Sequence, residues 1–194
     1  MRYTTDMSFD FLQADAVQVA RDLLDCELLL TDEKGIARLR IVETEAYHQT
    51  DAASHSYKGK TPRTAVMFGP AGFLYVYFTY GMHYCMNVVT GPEGEGSAVL
   101  IRAAEPMEGD YILHQNRPGK QSVELTNGPA KLCQALGINT DWSGHDLHKK
   151  PLQLVPKSPL PDAKIVQTTR IGISQAQEKP WRFYIRNNAY VSRT

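Results

Sequence analysis

The stretch RLRIVETEAY, residues 38–47, has the clearest strand pattern in the sequence, yet it places acidic residues where apolar ones belong. Leu39 and Ile41 alternate with arginines, and this period of two predicts a β-strand with one buried face. The same period carries Glu43 and Glu45 onto that face. A buried carboxylate needs a partner or a chemical purpose. The strand is therefore the predicted centre of the fold and the first candidate for a site.

Strand pairs are predicted on both sides of this stretch. Residues 27–30 and 36–45 indicate a hairpin. Residues 73–80, 82–90 and 97–105 are rich in aromatic and β-branched residues and predict an antiparallel meander of three strands.

Helix signals are fewer than strand signals. Asp15 can cap a helix over residues 16–24, and Pro129 and Gly137 bracket a second helix over residues 130–136. Further strands are predicted at residues 152–155, 165–173 and 181–185. Hairpins dominate over βαβ units, so we expect an α+β fold with a mostly antiparallel sheet.

Composition limits the class of protein. The chain has 194 residues, 42% of them hydrophobic and 22% charged, which fits one globular domain over residues 1–194. No apolar run reaches the roughly 20 residues that span a bilayer, and residues 1–11 lack the apolar core of a signal peptide. Three scattered cysteines give no disulfide framework or metal knuckle. We therefore expect an intracellular protein, with no membrane partner.

Charge is unevenly distributed along a chain whose net charge is zero. Residues 1–51 carry 11 acidic and 5 basic residues, whereas residues 52–194 carry 10 and 16. This asymmetry permits a basic face on a neutral protein.

Glu45 is the candidate general base, because it ends a strand and shares a face with Tyr47. That function requires a partly dry wall and access to one water molecule. The alternative is a structural ion pair with Arg38, Arg40 or Arg102. Glu43 competes for the same function but lies earlier in the strand, so we expect it to be tied into the structure.

The run FLYVYFTYGMHYCMN, residues 73–87, has the most unusual composition in the chain. Tyr75 and Tyr77 share one strand face, while Tyr80 lies at the turn. These rings can stack on nucleobases, and the turn residue can wedge into a duplex. The alternative is a sheet that packs its tyrosines.

Other polar clusters are weaker signals. Lys58, Lys60 and Arg63 form a basic loop that can bind phosphates or simply face solvent. His55 can be a packed histidine or a site residue. The motif HDLH at residues 145–148 has no third ligand nearby, so no metal site is predicted.

Taken together, these segments resemble the alkyladenine (3-methyladenine) DNA glycosylase family of base-excision repair. The resemblance is carried by RIVETEAY, AASHS, KTPR followed by MF, LYVYFTYGMHYCMN, VLIRAAEP, GPAKLCQALGI and WRFYIR, in the family order. It covers most of the chain and implies one domain with a curved sheet and flanking helices.

The resemblance implies functions for individual residues. Glu45 would activate water for attack on the sugar C1′, and Arg102 would help to position that water. Tyr47 and Tyr77 would stack on the flipped base. Two further residues would complete the pocket, with His55 on the other side of the base and Asn87 excluding purines that carry a 2-amino group.

The resemblance also implies a DNA surface. Tyr80 would fill the gap that the flipped nucleotide leaves, with Met82 and His83 beside it and Lys60 and Arg63 near the phosphates. His83 stands where the family often has a bulky aromatic residue, and Lys60 where arginine is common, which keeps the charge but loses bidentate geometry.

The expected activity follows from these assignments. The protein would be a monofunctional DNA-3-methyladenine glycosylase that acts without metal or cofactor on double-stranded DNA containing damaged purines, as a monomer, in the cytoplasm or nucleoid of a bacterium or the nucleus of a eukaryote. The alternatives are a damaged-DNA binding protein that uses the same pocket without catalysis, and a nucleoside hydrolase.

Overall fold

The computed structural model describes residues 8–192. Within that range the helices are Ala16–Asp22 (α1), Asp110–Asn116 (α2), Ser122–Thr126 (α3) and Pro129–Leu136 (α4). The strands are Glu27–Asp32 (β1), Gly35–Tyr47 (β2), Leu74–Thr79 (β3), His83–Val89 (β4), Ala98–Glu108 (β5), Leu152–Val155 (β6), Ile165–Thr168 (β7) and Arg182–Ile185 (β8). Residues 1–7, part of the N-terminal segment discussed above, lie outside the described residues.

The strands form one antiparallel sheet that curls into a half-barrel. Its order is β3-β4-β5-β2-β1-β6, and β8 pairs with both β2 and β7. The predicted hairpin of β1 and β2 and the predicted meander of β3, β4 and β5 are both confirmed. The α+β class is confirmed as well. The domain boundaries at residues 1–194 stay a prediction.

Strand β2 is the centre of the sheet. It pairs with β1 up to Arg40, and β8 then pairs with it from Glu43 to Glu45. The register against β5 shifts on both sides of Glu43. Both glutamates are completely buried, as predicted. The predicted alternation nevertheless does not continue unchanged past Ile41, because the irregularity turns Thr44 toward α1, where its hydroxyl donates to the Ala20 carbonyl at 2.6 Å.

Both predicted helices are present. Asp15 caps α1 by accepting a hydrogen bond from the Val17 amide at 2.8 Å, and α4 begins at Pro129 and ends before Gly137, whose φ is +69°. Helices α2 and α3 were not predicted. They have seven and five residues, too few to display a helical period.

One prediction of local structure was wrong. The strand predicted over residues 165–173 ends at Thr168, and the chain then bends through Gly172, whose φ is +78°. It leaves the sheet because Arg170 and Ile171 bond to residues of β2 instead of a neighbouring strand. After Asp51 the chain forms a series of turns, and the Asp51 carboxylate is buried against Arg170.

The principal core lies between the sheet and the helices, and a smaller cluster of Met67, Phe68, Tyr75, Val89 and Ala98 packs beside it. Cys26, Cys85 and Cys133 are buried free thiols. Among residues 8–192, no helix is long and apolar enough to cross a bilayer.

Candidate active site

A cavity of about 470 Å³ opens beside the end of β2, within the range of about 300–1,000 Å³ typical of small-ligand sites. Its walls come from β3, β4, β5, the loop after β2 and the loop after β7. Six residues singled out from the sequence line it: Tyr47, His55, Tyr77, Tyr80, Asn87 and Arg102. The structure therefore brings together side chains that are up to 55 positions apart in the chain.

Glu45 lies directly behind this wall, with no exposed surface. Its Oε2 accepts a hydrogen bond from the Tyr47 hydroxyl at 2.8 Å, and its Oε1 accepts one from the Ile171 amide at 2.8 Å. Arg102 Nη1 lies 3.2 Å from the same Oε1. All three partners line the cavity. The carboxylate is thus screened from the cavity by a single layer of groups that are bonded to it.

Of the arginines considered as ion-pair partners, Arg102 is the one that contacts Glu45. Arg38 and Arg40 pair instead with carboxylates elsewhere on the sheet. Burial acts to lower the pKa of Arg102, but Glu45 and Glu43 outweigh it and raise the pKa, so the guanidinium stays charged. Glu45 is therefore both ion-paired and adjacent to the cavity.

Glu43 is tied into the structure, as expected. Its Oε1 accepts from Arg102 Nε at 2.9 Å, from Arg182 Nε at 2.7 Å and from the Ser192 hydroxyl at 3.0 Å. Its Oε2 accepts from the Ser192 amide at 2.7 Å. Two cations and a serine thus satisfy Glu43, which is not among the residues that line the cavity.

Aromatic rings form the opposite wall. Tyr75 and Tyr77 are stacked, with their centroids 5.8 Å apart and a 29° angle between their planes. The His55 ring meets Tyr77 edge-on at 4.5 Å, and His55 Nδ1 lies 3.0 Å from the Tyr75 hydroxyl. Tyr75 was noticed only as part of the aromatic run, but it fixes the position of His55.

His55, Tyr47 and Tyr77 are neutral near pH 7. Burial, and then the charge of Arg63, lower the pKa of His55 from its usual 6.5 to about 4. Burial, and then the neighbouring Glu45, raise the pKa of Tyr47 far above its ordinary value. Burial likewise raises the pKa of Tyr77. Tyr47 therefore keeps its proton, and its hydroxyl can donate a hydrogen bond to the Glu45 carboxylate.

Asn87 lines the cavity from β4 and is almost completely buried, with 4% of its surface exposed. Its Nδ2 donates to the Tyr75 carbonyl at 3.1 Å. The backbone of the neighbouring strand therefore fixes the direction of this side chain.

The tip of the β3–β4 hairpin stands out into solvent at the mouth of the cavity. Tyr80 is 80% exposed and Met82 is 70% exposed. Tyr80 and Gly81 both have positive φ, +51° and +68°, as at the centre of a type I′ turn. This conformation is unfavourable for tyrosine and is typical of functional positions. Tyr80 lines the cavity, whereas Met82 does not; His83 is exposed and borders a second cavity.

Lys60 and Arg63 are exposed and do not line the cavity. The Arg63 guanidinium lies 5.7 Å from the centroid of the Tyr77 ring, so the basic loop approaches the aromatic wall from outside.

One wall was missed from the sequence. Residues 171–175, in the loop after β7, line the cavity and supply the amide that bonds to Glu45. A second cavity of about 600 Å³ adjoins the first and shares Arg102, Pro129, Ile171 and Gly172 with it. An arginine inside the apolar run IVQTTRIGI was the one available signal.

The described residues contain no group of three or more His, Cys, Asp or Glu side chains arranged to hold a metal ion. Within the HDLH motif, His145 Nε2 bonds to the Leu152 carbonyl and His148 pairs with Asp146. Both histidines have structural partners.

Flat aromatic walls suit a planar heterocycle, and a carboxylate beside them suits hydrolysis, which places the chain in the class of enzymes that act on nucleobases. Residues 10–189 match the family Methylpurine-DNA glycosylase (MPG), and the chain belongs to that family.

Several relatives are similar over nearly their whole length, and each carries the name "Putative 3-methyladenine DNA glycosylase". The protein from Carboxydothermus hydrogenoformans is 52% identical over 184 residues, covering 94% of this chain and 96% of the relative. The protein from Methanoculleus marisnigri is 50% identical over 186 residues, with the same coverage. The protein from Nitrosospira multiformis is 45% identical, covering 96% of this chain and 93% of the relative. These matches favour an enzyme over a binding protein without catalysis.

Proposed function

We propose that this protein is a DNA glycosylase that hydrolyses the N-glycosidic bond of damaged purines flipped out of duplex DNA. The observation that carries the proposal is the position of Glu45, a buried carboxylate one layer behind an aromatic pocket. The family and the names of the relatives support the same activity.

The pocket suits a base that has left the helix. A base inside a duplex is out of reach, and extruding it costs a few kcal/mol, least for damaged pairs. The Tyr47 and Tyr77 rings can hold its flat faces, and a positively charged alkylated purine gains a cation–π attraction on the order of 1–2 kcal/mol. Tyr80 occupies the place from which a side chain can fill the gap in the duplex.

Hydrolysis requires Glu45 to exchange one of its bonds. The Tyr47 hydroxyl and Arg102 Nη1 occupy the oxygens that would accept a proton from water. When a base stacks on Tyr47, we expect water to replace one of these contacts. Water oxygen then attacks C1′ while Glu45 takes its proton, and the electrons of the C1′–N bond leave with the base.

The product is an abasic site in an intact strand. No lysine of residues 8–192 lines the cavity beside Glu45, so a covalent amine intermediate has no nucleophile there. Because its substrate is DNA, we propose that the protein works inside the cell, and we further propose that it acts as a monomer without a cofactor.

The test is a panel of duplexes, each with one alkylated adenine, alkylated guanine, hypoxanthine or etheno adduct, scored for free base released without alkali or heat. We expect base release with the strand intact until alkali is added. Strand cleavage by the protein alone would contradict the monofunctional mechanism. Equal rates on free nucleosides would instead support a nucleoside hydrolase.

A further inference from the structure

One buried ion pair has no place in the mechanism above. Arg170 and Asp51 form a salt bridge in which neither side chain has any exposed surface. Asp51 belongs to the loop after β2, and Arg170 lies just beyond the end of β7. They are 119 positions apart in the chain, so each belongs to a different wall of the pocket.

Arg170 contacts the end of β2 in several ways at once. Its Nη1 donates to the Ala46 carbonyl at 2.9 Å, and its guanidinium carbon lies 4.8 Å from the centroid of the Tyr47 ring. The next residue, Ile171, donates its amide to Glu45. Two consecutive residues thus hold three consecutive residues of β2, including the general base and a stacking ring.

The same guanidinium also contacts residues outside β2. It lies 5.1 Å from the centroid of the Trp181 ring, and its Nη2 donates to the Ala176 carbonyl at 3.2 Å. Residues 171–175, which line the cavity, lie between Arg170 and Ala176. Arg170 therefore closes the loop of residues 171–175 by bonding to the residue that follows it.

Asp51 fixes the start of the other loop that lines the cavity, the loop after β2. Ala52, Ala53 and His55 follow it directly and line the cavity. The Asp51–Arg170 pair thus joins the starts of the two loops that line the cavity, next to the Tyr47 ring. Only a planar guanidinium can stack on two rings while it also bonds a carboxylate and two carbonyls; a lysine ammonium cannot.

A buried ion pair is weak support for stability, because apolar residues of similar volume often stabilise a core equally well. Building on the proposed function, we propose that Arg170, held by Asp51, is a positioning residue for excision. It fixes the Tyr47 ring and the spacing of the two loop walls, and so determines how closely a flipped base is held.

The experiment compares Arg170→Lys with the wild type in single-turnover excision from two duplexes, one with hypoxanthine and one with the wider 1,N6-ethenoadenine. If the spacing of the two loop walls increases, the smaller base, hypoxanthine, should be held less tightly than ethenoadenine. We expect excision of hypoxanthine to fall at least tenfold, and excision of ethenoadenine to fall several-fold less, so that the ratio of the two rates changes.

Arg182→Lys is the matched control. Arg182 is also a buried arginine with a carboxylate partner, Glu43, and a tyrosine ring, that of Tyr184, 4.9 Å from its guanidinium. Unlike Tyr47 beside Arg170, neither Glu43 nor Tyr184 lines the cavity. The control substitution should lower the melting temperature without changing the ratio. An Arg170→Lys variant that loses stability with an unchanged ratio would overturn the proposal. If that variant does not fold, Asp51→Asn, which keeps the shape of the side chain, must change the ratio in the same direction.

A double-mutant cycle tests the route through the ring. In a Tyr47→Leu background, Arg170→Lys should cost little further activity, because the ring that it positions is gone; additive losses would contradict this. Wild-type protein that releases no base from any duplex of the panel, with alkylated adenine, alkylated guanine, hypoxanthine or an etheno adduct, would refute the proposed function itself. Release by the wild type with no change in ratio would refute only the positioning role.

Discussion

Glu43 and Glu45 are two residues apart on one strand and equally buried, yet they belong to different regions of the molecule. We call Glu43, Arg182 and Ser192 the anchor, because their bonds join β2 to β8 and to the end of the described chain. The partners of Glu45, in contrast, all border the cavity. Arg102 bonds to both glutamates. Burial alone therefore does not identify a catalytic acid; the position of its donors does.

The largest effect that this comparison predicts is on catalysis. Glu45→Gln keeps the shape of the side chain but cannot take a proton from water, so base release should fall by roughly 10²–10⁴-fold. Single-turnover assays on a lesion duplex measure the loss, and gel-shift binding to the same duplex should be retained. Unchanged release would show that Glu45 is not the base.

Substitution of an anchor residue should lower the stability of the folded protein. Glu43→Gln leaves Arg182 with less compensation for its buried charge, and breaking such a pair costs about 3–5 kcal/mol. For a chain of this size, the melting temperature should fall by roughly 10 °C or more. Thermal unfolding of Glu43→Gln beside Glu45→Gln provides the check. A larger loss for Glu45→Gln would reverse the assignment of the two regions.

Tyr80 sharpens the comparison, because it belongs to the pocket region but contributes little to the core. Tyr80→Ala should weaken binding to a lesion duplex by about tenfold, in line with stacking energies of about 1–3 kcal/mol. Its melting temperature should not fall, since the ring is 80% exposed. Binding to the same lesion in single-stranded DNA is the control, because no gap in a duplex has to be filled there.

The smallest effect is expected at His55. Its pKa is lowered to about 4, so the folded protein binds no proton there until the pH falls near 4, whereas the unfolded chain does so below about 6.5. His55 therefore contributes stability above about pH 6.5 that is lost as the pH falls toward 4. His55→Gln should lose less melting temperature than the wild type between pH 7 and 5. The shape of the pH–rate profile from pH 5 to 8 should not change, because His55 is already neutral there.

Much of the fold could be predicted from the sequence where local pattern and tertiary structure agree. The alternation in β2, the aromatic runs of β3 and β4, and the start and stop signals of α4 each correspond to an observed element. Helices α2 and α3 could not be predicted, because their few residues are helical through packing and not through period. The irregularity beside Glu43 was invisible, since it depends on the register of β5.

The candidate site, too, could be predicted only in part from the sequence. Six of the residues suggested by the family resemblance line one cavity and Glu45 lies directly behind its wall, although their individual roles stay predictions. Four others do not line it: Lys60, Arg63, Met82 and His83. The wall at residues 171–175 was missed because its apolar residues suggest a strand. Its departure from the sheet depends on a glycine at positive φ and on bonds to residues more than 100 positions away.

The wide sequence separation of these partners has a consequence for synthesis on the ribosome. The carboxylates of Glu43, Glu45 and Asp51 are made early, but Arg170, Ile171, Arg182 and Ser192, which donate hydrogen bonds to them, are made more than 100 residues later. A nascent chain that stops short of β8 has Arg102 but lacks Arg182 and Ser192, so Glu43 is left with fewer donors than it has in the folded protein. A polypeptide that terminates before β8 should therefore be inactive, with no partly competent enzyme left behind.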